Sequence, residues 1–232
     1  MSEVAKRLQE VSDRIAAAAH RAGRNPAEVT LLAVSKTFPQ DPIREAFAAG
    51  QVHFGENRIQ EAQSKVPLLS ELEAEWHLIG HLQSNKARRA VELFDVIQTL
   101  DSVKIARRLG LQAAQLGKRI RVYAQVDLAG ETQKSGVTPE DLDVLLEEIS
   151  NQSHLDLEGL MCIPPWSADP ETTRPYFKRL ARLLDGINRH RARPLKGLSM
   201  GMSNDFAVAI EEGSTLVRVG TAIFGSRQKN QP

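Results

Sequence analysis

The stretch "LLAVSKTFP", residues 31–39, decides the fold because it combines a buried strand with a lysine at its end. Its apolar run is typical of a strand that is covered on both faces, as in a parallel sheet. Side chains alternate along a strand, so Leu32, Val34 and Lys36 share one face. If Leu32 and Val34 point into a core, the amine of Lys36 comes to the mouth of that core.

The same unit, an apolar segment followed by a helix-patterned stretch, repeats along the chain. The apolar segments are residues 30–34, 52–54, 76–79, 96–99, 120–126, 157–163, 195–199 and 216–219. The gaps between them are long enough for crossover helices. A capping residue before a proline indicates helix starts at Asp41, Thr138 and Asp169. Eight such units predict an α/β fold, a single (β/α)8 TIM-type barrel.

The domain organisation is read from the same pattern. An extra N-terminal helix at about residues 2–22 has one apolar stripe and precedes a barrel at about residues 29–227. This helix would either cap the barrel bottom or lie along its side. No linker-like composition interrupts residues 1–232, so we expect one domain. The competing architecture is an open doubly wound sheet, but no G-x-G-x-x-G turn follows the first strand.

Composition limits the classes of partner and compartment. The chain has 232 residues, of which 41% are hydrophobic, and its 30 basic and 29 acidic residues give a net charge of +1. We therefore expect neither nucleic acid nor a membrane as the main partner. The single cysteine, Cys162, cannot form an internal disulfide, which is typical of a reducing compartment. With no apolar run near the ~20 residues of a membrane span and no signal-peptide core, we expect a cytoplasmic protein.

Polar residues concentrate where the predicted strands end, which is where barrels carry their sites. Ser199, Gly201 and Ser203 follow the seventh segment, and Gly220 with Thr221 follows the eighth. Small residues let backbone N–H groups approach an anion, and barrels often hold a phosphate between these two loops. The plainer interpretation is that glycine and serine only form turns. Two such loops at adjacent strands favour a phosphorylated ligand.

Two cations are predicted at the same end of the barrel. Arg218 is either a structural arginine paired with a carboxylate or a fixed cation that contacts a ligand. Lys36 either extends into solvent or presents a neutral amine, which an apolar mouth or a nearby cation such as Arg218 would favour. A neutral amine facing a phosphate site could form an imine with a phosphorylated aldehyde. Pyridoxal 5′-phosphate (PLP) and aldolase-type sugar phosphates are both candidates.

The remaining reactive residue types have plainer interpretations. His53, His77 and His81 show no metal-ligand spacing, and we expect no metal site. One of His77 and His81 could approach a ligand, but a hydrogen-bonded structural role is favoured. Lys86, Arg88 and Arg89 indicate either a solvated helix face or a patch for an anion or partner. Cys162 is expected to be buried packing rather than a nucleophile.

Six motifs in order resemble the pyridoxal phosphate homeostasis protein family: "AVSKTFP", "FGENRIQE", "WHLIGHLQSNK", "GLMCIPP", "LSMGMSNDF" and "VRVGTAIFG". The similarity covers about residues 29–227. It implies a barrel like the barrel domain of alanine racemase and of bacterial-type ornithine decarboxylase, with PLP as cofactor. In that family a lysine binds PLP, a serine binds its phosphate and an arginine faces the pyridine nitrogen. The residues that match the family's PLP-binding positions are Lys36, Asn57, Ser199, Arg218, Gly220 and Thr221.

The resemblance implies a protein that holds PLP rather than one that turns over a substrate. An arginine beside the pyridine nitrogen makes the ring a weaker electron sink. Racemases add a tyrosine base from a second domain, whereas both tyrosines here, Tyr123 and Tyr176, lie in predicted barrel elements. We expect no catalytic residues, a monomer, a Schiff base with PLP, and buffering or delivery that affects amino-acid and keto-acid metabolism. Partners would be apo-enzymes that take up PLP, or a regulatory protein. The alternatives are a racemase-like PLP enzyme and a PLP-responsive regulatory partner.

Overall fold

Eight parallel strands close into a barrel in the computed structural model, which describes residues 1–130 and 135–225. Each strand pairs with the next along the chain, and the last pairs with the first. This confirms the predicted barrel and excludes the open sheet; the predicted barrel end at residues 226–227 lies outside the described residues. The strands are β1 (Thr30–Val34), β2 (His53–Glu56), β3 (Glu75–Leu78), β4 (Val96–Leu100), β5 (Ile120–Gln125), β6 (Leu155–Met161), β7 (Gly197–Met202) and β8 (Leu216–Val219).

Helices surround the strands and connect them. They are α1 (Glu3–Arg21), α2 (Gln40–Ala48), α3 (Ile59–Lys65), α4 (Ala87–Leu93), α5 (Val103–Gln115), α6 (Leu142–Ser150), α7 (Arg174–Asn188), α8 (Phe206–Glu211) and α9 (Thr221–Phe224), with short 3₁₀ helices at Pro26–Glu28, Val66–Leu69, Ser84–Lys86 and Pro170–Thr173. The N-terminal helix α1 packs on α2, α8 and α9 through its predicted apolar stripe, so it lies along the side of the barrel. None of the described helices has the length and hydrophobicity that a bilayer crossing needs.

Two of the three predicted helix starts are wrong. Helix α2 begins at Gln40, before Asp41, and no side chain caps it. Helix α6 begins at Leu142, and Thr138 instead accepts a hydrogen bond from the N–H of Asp141 in the preceding turn, at 3.2 Å. Asp169 does cap a helix, because its carboxylate accepts from the N–H of Glu171 at the start of a 3₁₀ turn. The capping signals therefore predicted that a helix follows each strand, but predicted the first residue of that helix less well.

The barrel interior is part apolar and part polar. Alternate strand residues face outwards and join the large core under the helices. The inward apolar residues form two separate clusters, one of Leu32, Val34, Ile79 and Leu216 and one of Val96, Tyr123 and Met161. Buried polar side chains also lie on the strands, and those of His77, Gln98, Ser199 and Arg218 are hydrogen-bonded to one another inside the barrel. Barrels of this type usually fill such layers with branched aliphatic residues.

Candidate functional site

A cavity of about 280 Å³ opens at the carboxyl end of the barrel strands. Its wall contains Lys36 after β1, Asn57 after β2, Arg218 on β8, and Gly220 with Thr221 beyond β8. Five of the six residues predicted for the site thus share one cavity. A second cavity of about 250 Å³ at the same end shares Asn57 on its wall. A larger groove of about 550 Å³ lies outside the barrel along α1 and α2, away from these residues.

The residues on either side of Lys36 are fixed by a buried ion cluster. The ammonium of Lys65 on α3 donates to the carbonyl of Ser35 at 3.0 Å, to Glu56 at 2.7 Å and to Glu61 at 3.0 Å. The hydroxyl of Ser35 donates to Glu56 at 2.6 Å, and the N–H of Thr37 donates to Glu61. We call Lys65, Glu56 and Glu61 the lysine clamp, because they hold both neighbours of Lys36.

Two features at and beside the lysine clamp cost energy. Thr37 has φ of +70°, a left-handed conformation that costs energy for a β-branched residue. Glu56 is fully buried, and its Oε2 lacks a hydrogen-bond partner among the described atoms. Burial raises the pKa of Glu56, against the attraction of Lys65. Such costs persist only where the surrounding contacts enforce them. Here those contacts fix the backbone that carries Lys36.

The loops after the adjacent strands β7 and β8 both line the cavity. Ser203 and Asn204 come from the first loop, and Gly220 with Thr221 comes from the second. A Cβ on Gly220 would lie 3.1 Å from the carbonyl oxygen of Val34, so a larger residue would push the end of β8 away from β1. Hydroxyl and peptide N–H groups are the kind of donors that bind an anion, so a phosphate site on these loops stays a prediction.

Ser199 lies beneath this cavity rather than on its wall. Strand β7 was predicted to end at Ser199 but continues to Met202, which places Ser199 inside the barrel with no exposed surface. Its hydroxyl donates to Gln98 at 2.6 Å and accepts from Arg218 at 2.6 Å. With both roles of the hydroxyl taken, the geometry does not support direct contact of the Ser199 side chain with a phosphate. Ser203 is the serine that reaches the cavity.

Arg218 is a buried cation whose contacts are neutral. Its guanidinium donates to Ser199 and, at 2.9 Å, to the carbonyl of Cys162, neither of which carries a charge. Burial lowers the pKa of Arg218 from its ordinary value, although a guanidinium remains charged in proteins. No carboxylate accepts a hydrogen bond from Arg218 among the described contacts, but the buried carboxylate of Asp205 on the same cavity wall attracts it electrostatically. The positive charge lies against the cavity wall.

Asn57 is held at the mouth by a close backbone contact. A Cβ on Gly80 would overlap the carbonyl of Asn57, so the "IGH" turn after β3 must carry glycine there. The side chain of Asn57 borders both mouth cavities. An amide in that position can donate and accept hydrogen bonds with a ligand that occupies either cavity.

The histidines and basic residues that the sequence singled out lie in different parts of the structure. His81 lies at the mouth, half exposed, with Nδ1 3.3 Å from Asp101. His77 lies inside the barrel, where its Nε2 is 2.7 Å from Glu75. Lys86 borders a groove beside Asn57, whereas Arg88 and Arg89 pair with Glu92 on the surface of α4.

A histidine cluster that the sequence did not indicate forms at the start of β3. His53, Glu75 and His77 bring their ligating atoms within 4.8 Å of one another. Hydrogen bonds join the two rings to Glu75, and Arg121 donates to the same carboxylate. Burial acts to raise the pKa of Glu75, but these three hydrogen bonds outweigh it and hold the pKa well below its usual range. The cluster is a satisfied ion-pair network at the barrel end opposite the cavity.

The cysteine and both tyrosines lie away from the cavity wall. Cys162 is buried, and burial raises the pKa of its thiol to about 12, which agrees with packing rather than reactivity. Tyr123 belongs to an apolar cluster inside the barrel, where burial raises the pKa of its phenol. Tyr176 packs on the outer core from α7. Neither tyrosine can serve as a base at the mouth in this arrangement.

Comparison with known proteins gives a consistent set of relatives. Residues 7–228 match the family model of the alanine racemase N-terminal domain. The pyridoxal phosphate homeostasis protein of Pseudomonas aeruginosa is 46% identical over 232 residues, covering 100% of this chain and 99% of the relative. That of Aquifex aeolicus is 42% identical over 223 residues, covering 96% of this chain and 98% of the relative.

Solved structures agree with this. PipY of Synechococcus elongatus PCC7942, solved with PLP bound, is 41% identical with a TM-score of 0.82, covering 93% of this chain and all of PipY. Alanine racemase of Clostridium difficile 630 is 15% identical with a TM-score of 0.71, covering 97% of this chain and 58% of the enzyme. The second likeness shows the shared barrel fold alone.

Proposed function

The chain belongs to the pyridoxal phosphate homeostasis protein family, and from this premise we propose that it binds PLP as a Schiff base on Lys36. We further propose that it is not an enzyme but a monomeric cytoplasmic protein that buffers PLP or delivers it. Its partners would then be apo-enzymes that take up PLP, or a regulatory protein. In either case its action would reach amino-acid and keto-acid metabolism through the supply of PLP.

One observation carries the proposal: Lys36 and the buried Arg218 border the same cavity as the serine, glycine and threonine of the loops after β7 and β8. The donor set fits PLP, which has an aldehyde, a phosphate and a ring nitrogen. Lys36 is the amine, the hydroxyls of Ser203 and Thr221 with the backbone at Gly220 would hold the phosphate, and Arg218 would contact the ring nitrogen. When bound, PLP supplies an aldehyde that can condense with an amine and a ring that can withdraw electrons.

The residues present favour holding PLP over catalysis with it. Arg218 is buried and positive, so it disfavours a proton on the ring nitrogen and makes the ring a weaker electron sink. The lysine clamp orders the backbone around Lys36 before any ligand arrives, which reduces the ordering cost of binding. Both tyrosines are packed elsewhere. Proton transfer by a positioned group contributes about 10²–10⁴-fold, and that contribution would be missing here.

The test of binding uses borohydride reduction of the PLP-loaded protein followed by peptide mapping. We expect a pyridoxyl group on Lys36, an absorption band that borohydride removes, and loss of both in Lys36→Arg, which keeps the charge. Lys86→Arg is the matched control, since it alters a lysine that borders a groove at the same barrel end. Labelling of other lysines with none on Lys36 would refute the assignment.

The test of the non-enzymatic role follows amino acids in deuterated water with PLP-saturated protein. We expect slow incorporation at Cα, far below that of a racemase assayed alongside. Fast incorporation would favour the racemase-like alternative. Transfer of PLP from the loaded protein to an apo-enzyme, compared with free PLP at equal concentration, tests delivery. Size-exclusion chromatography with light scattering tests the monomer.

A further inference from the structure

A continuous chain of hydrogen bonds crosses the inside of the barrel from Arg218 to Glu75. Arg218 donates to Ser199 at 2.6 Å, and Ser199 donates to Gln98 at 2.6 Å. The amide nitrogen of Gln98 lies 2.8 Å from Nδ1 of His77, and Nε2 of His77 lies 2.7 Å from Glu75. Arg218 is near the cavity end of β8, whereas Glu75 begins β3 at the opposite end.

The charged ends fix the direction of every bond in this chain. A guanidinium can only donate, so the oxygen of Ser199 accepts from it and its proton goes to the Gln98 carbonyl. The Gln98 amide then donates to Nδ1 of His77, which leaves the ring proton on Nε2, pointing at Glu75. If the Gln98 amide were flipped, its oxygen would accept from Nδ1 of His77, and a neutral ring would then have no proton on Nε2. That unprotonated Nε2 would face the Glu75 carboxylate, unless His77 were charged. Burial lowers the pKa of His77 and so disfavours the charged ring.

The aligned chain connects a buried cation to a distant anion. The described hydrogen bonds of Arg218 go to neutral groups, although the buried carboxylate of Asp205 attracts the guanidinium electrostatically. Glu75 also accepts hydrogen bonds from His53 and Arg121. Hydrogen bonds that point the same way polarise one another, and the effect is larger where the local dielectric is low. The middle of the chain is fully enclosed, since Gln98 and Ser199 have no exposed surface. Each bond therefore strengthens the hold on Arg218.

We propose that Glu75, His77, Gln98 and Ser199 are positioning residues that orient and polarise Arg218 from inside the barrel, and thereby set its effect on the ring nitrogen of bound PLP. The claim that these residues orient and polarise Arg218 concerns this chain alone. The claim about the ring nitrogen rests on the proposed function. Apolar side chains would fill the same layers without the cost of burying polar groups. A fully satisfied polar chain that ends at Arg218, on the cavity wall, is the arrangement that such control needs.

The first experiment uses the PLP-free protein labelled with ¹⁵N on histidine and arginine. We expect the His77 ring to be neutral near pH 7 with its proton on Nε2, as the bond directions require. His77→Gln identifies the resonances by their disappearance. A proton on Nδ1, or a charged ring, would overturn the proposal because the bond directions would not hold.

The second experiment breaks the chain in the middle. Gln98→Met removes the amide with little change of volume, and Gln112→Met is the matched control, since Gln112 is a buried glutamine on α5 that bonds to Gln115. We expect the Arg218 guanidinium protons to exchange about tenfold faster in Gln98→Met, the factor for about 1.4 kcal/mol, and at the wild-type rate in the control. A wild-type rate in a folded Gln98→Met variant would refute the coupling.

A second variant covers the case in which Gln98→Met does not fold. Glu75→Gln keeps the shape of the far end and removes its charge, so the Arg218 resonances should shift although Arg218 is at the other end of the barrel. Unshifted resonances would refute the polarisation.

A last arm uses PLP labelled with ¹⁵N in its ring. The ring resonance should differ between wild type and Gln98→Met, and an identical resonance would refute the effect on PLP. Failure of PLP to label Lys36 would instead count against the proposed function and leave the PLP-free results standing.

Discussion

Replacing Lys65 by methionine should destabilise the fold strongly, and more at neutral than at acid pH. Lys65 and Glu56 form a buried ion pair at 2.7 Å, with side-chain exposures of 6% and 0%. Removing one partner of such a pair costs about 3–5 kcal/mol, because the other charge is left buried. Glu56 would keep the hydrogen bond from Ser35, and its Oε2 already lacks a partner among the described atoms. We therefore expect the free energy of unfolding to decrease by about 3–5 kcal/mol at about pH 8.

The pH dependence follows from the direction of the Glu56 pKa. Burial raises this pKa above the ordinary value of 4.5, and Lys65 opposes the rise. Without Lys65 the folded-state pKa rises further. A carboxyl group whose pKa is raised by folding stabilises the fold fully below its unfolded pKa, and this contribution is lost as pH rises through the folded pKa. The penalty of Lys65→Met should therefore be small near pH 4.5 and grow as the pH increases.

The assay is urea unfolding of wild type and variants at about pH 5 and about pH 8. Adding Glu56→Gln to Lys65→Met removes the orphaned charge and should recover part of the stability at the higher pH. Lys118→Met is the matched control, since this lysine donates only to the backbone carbonyls of Val91 and Glu92 in the described contacts. An equal penalty at both pH values, with no recovery in the double variant, would refute the argument.

Three further predictions concern the cavity and the thiol. Thr221→Ala should weaken PLP retention by about 1–3 kcal/mol, the scale of a hydrogen bond to a charged group, as measured by equilibrium dialysis; unchanged retention would place the phosphate elsewhere. PLP should quench the emission of Trp166, which is 79% exposed on the cavity wall. Most of this quenching should disappear in Trp166→Phe, because the second tryptophan, Trp76, is buried against Phe54. Since burial raises the pKa of Cys162 to about 12, a thiol reagent should label it only after unfolding in urea. Labelling of the native protein at the unfolded rate would contradict this.

The sequence was sufficient to predict the barrel and its mouth, because both depend on local patterns. The bounds predicted for β1 and β8 match the structure. The predicted end of β7 is wrong because serine and glycine resembled a turn. Ser199 instead continues the strand, since Gln98 and Arg218 satisfy its hydroxyl inside the barrel.

The supports of the site could not be predicted, because they depend on contacts between distant parts of the chain. Gln98 and Ser199 are 101 residues apart, and nothing local marks either as an inward-facing partner. Lys65 is the last residue of α3, where a lysine would be expected to be exposed. Its ammonium instead donates to the carbonyl of Ser35, 30 residues earlier in the chain. Such contacts become visible only when barrel closure brings the strand ends together.

The two polar networks support the cavity from the adjacent strands β1 and β8. The lysine clamp fixes the backbone beside Lys36, and the chain ending at Glu75 holds Arg218. Both consist of groups that are costly to bury, so they lower stability relative to an apolar filling while they fix geometry. For the proposed role of holding PLP this exchange would be favourable, because groups ordered in advance lose less entropy when the ligand binds. Loosening either network should therefore act first on the rate of PLP release, because affinity differences between related variants arise mostly from the dissociation rate.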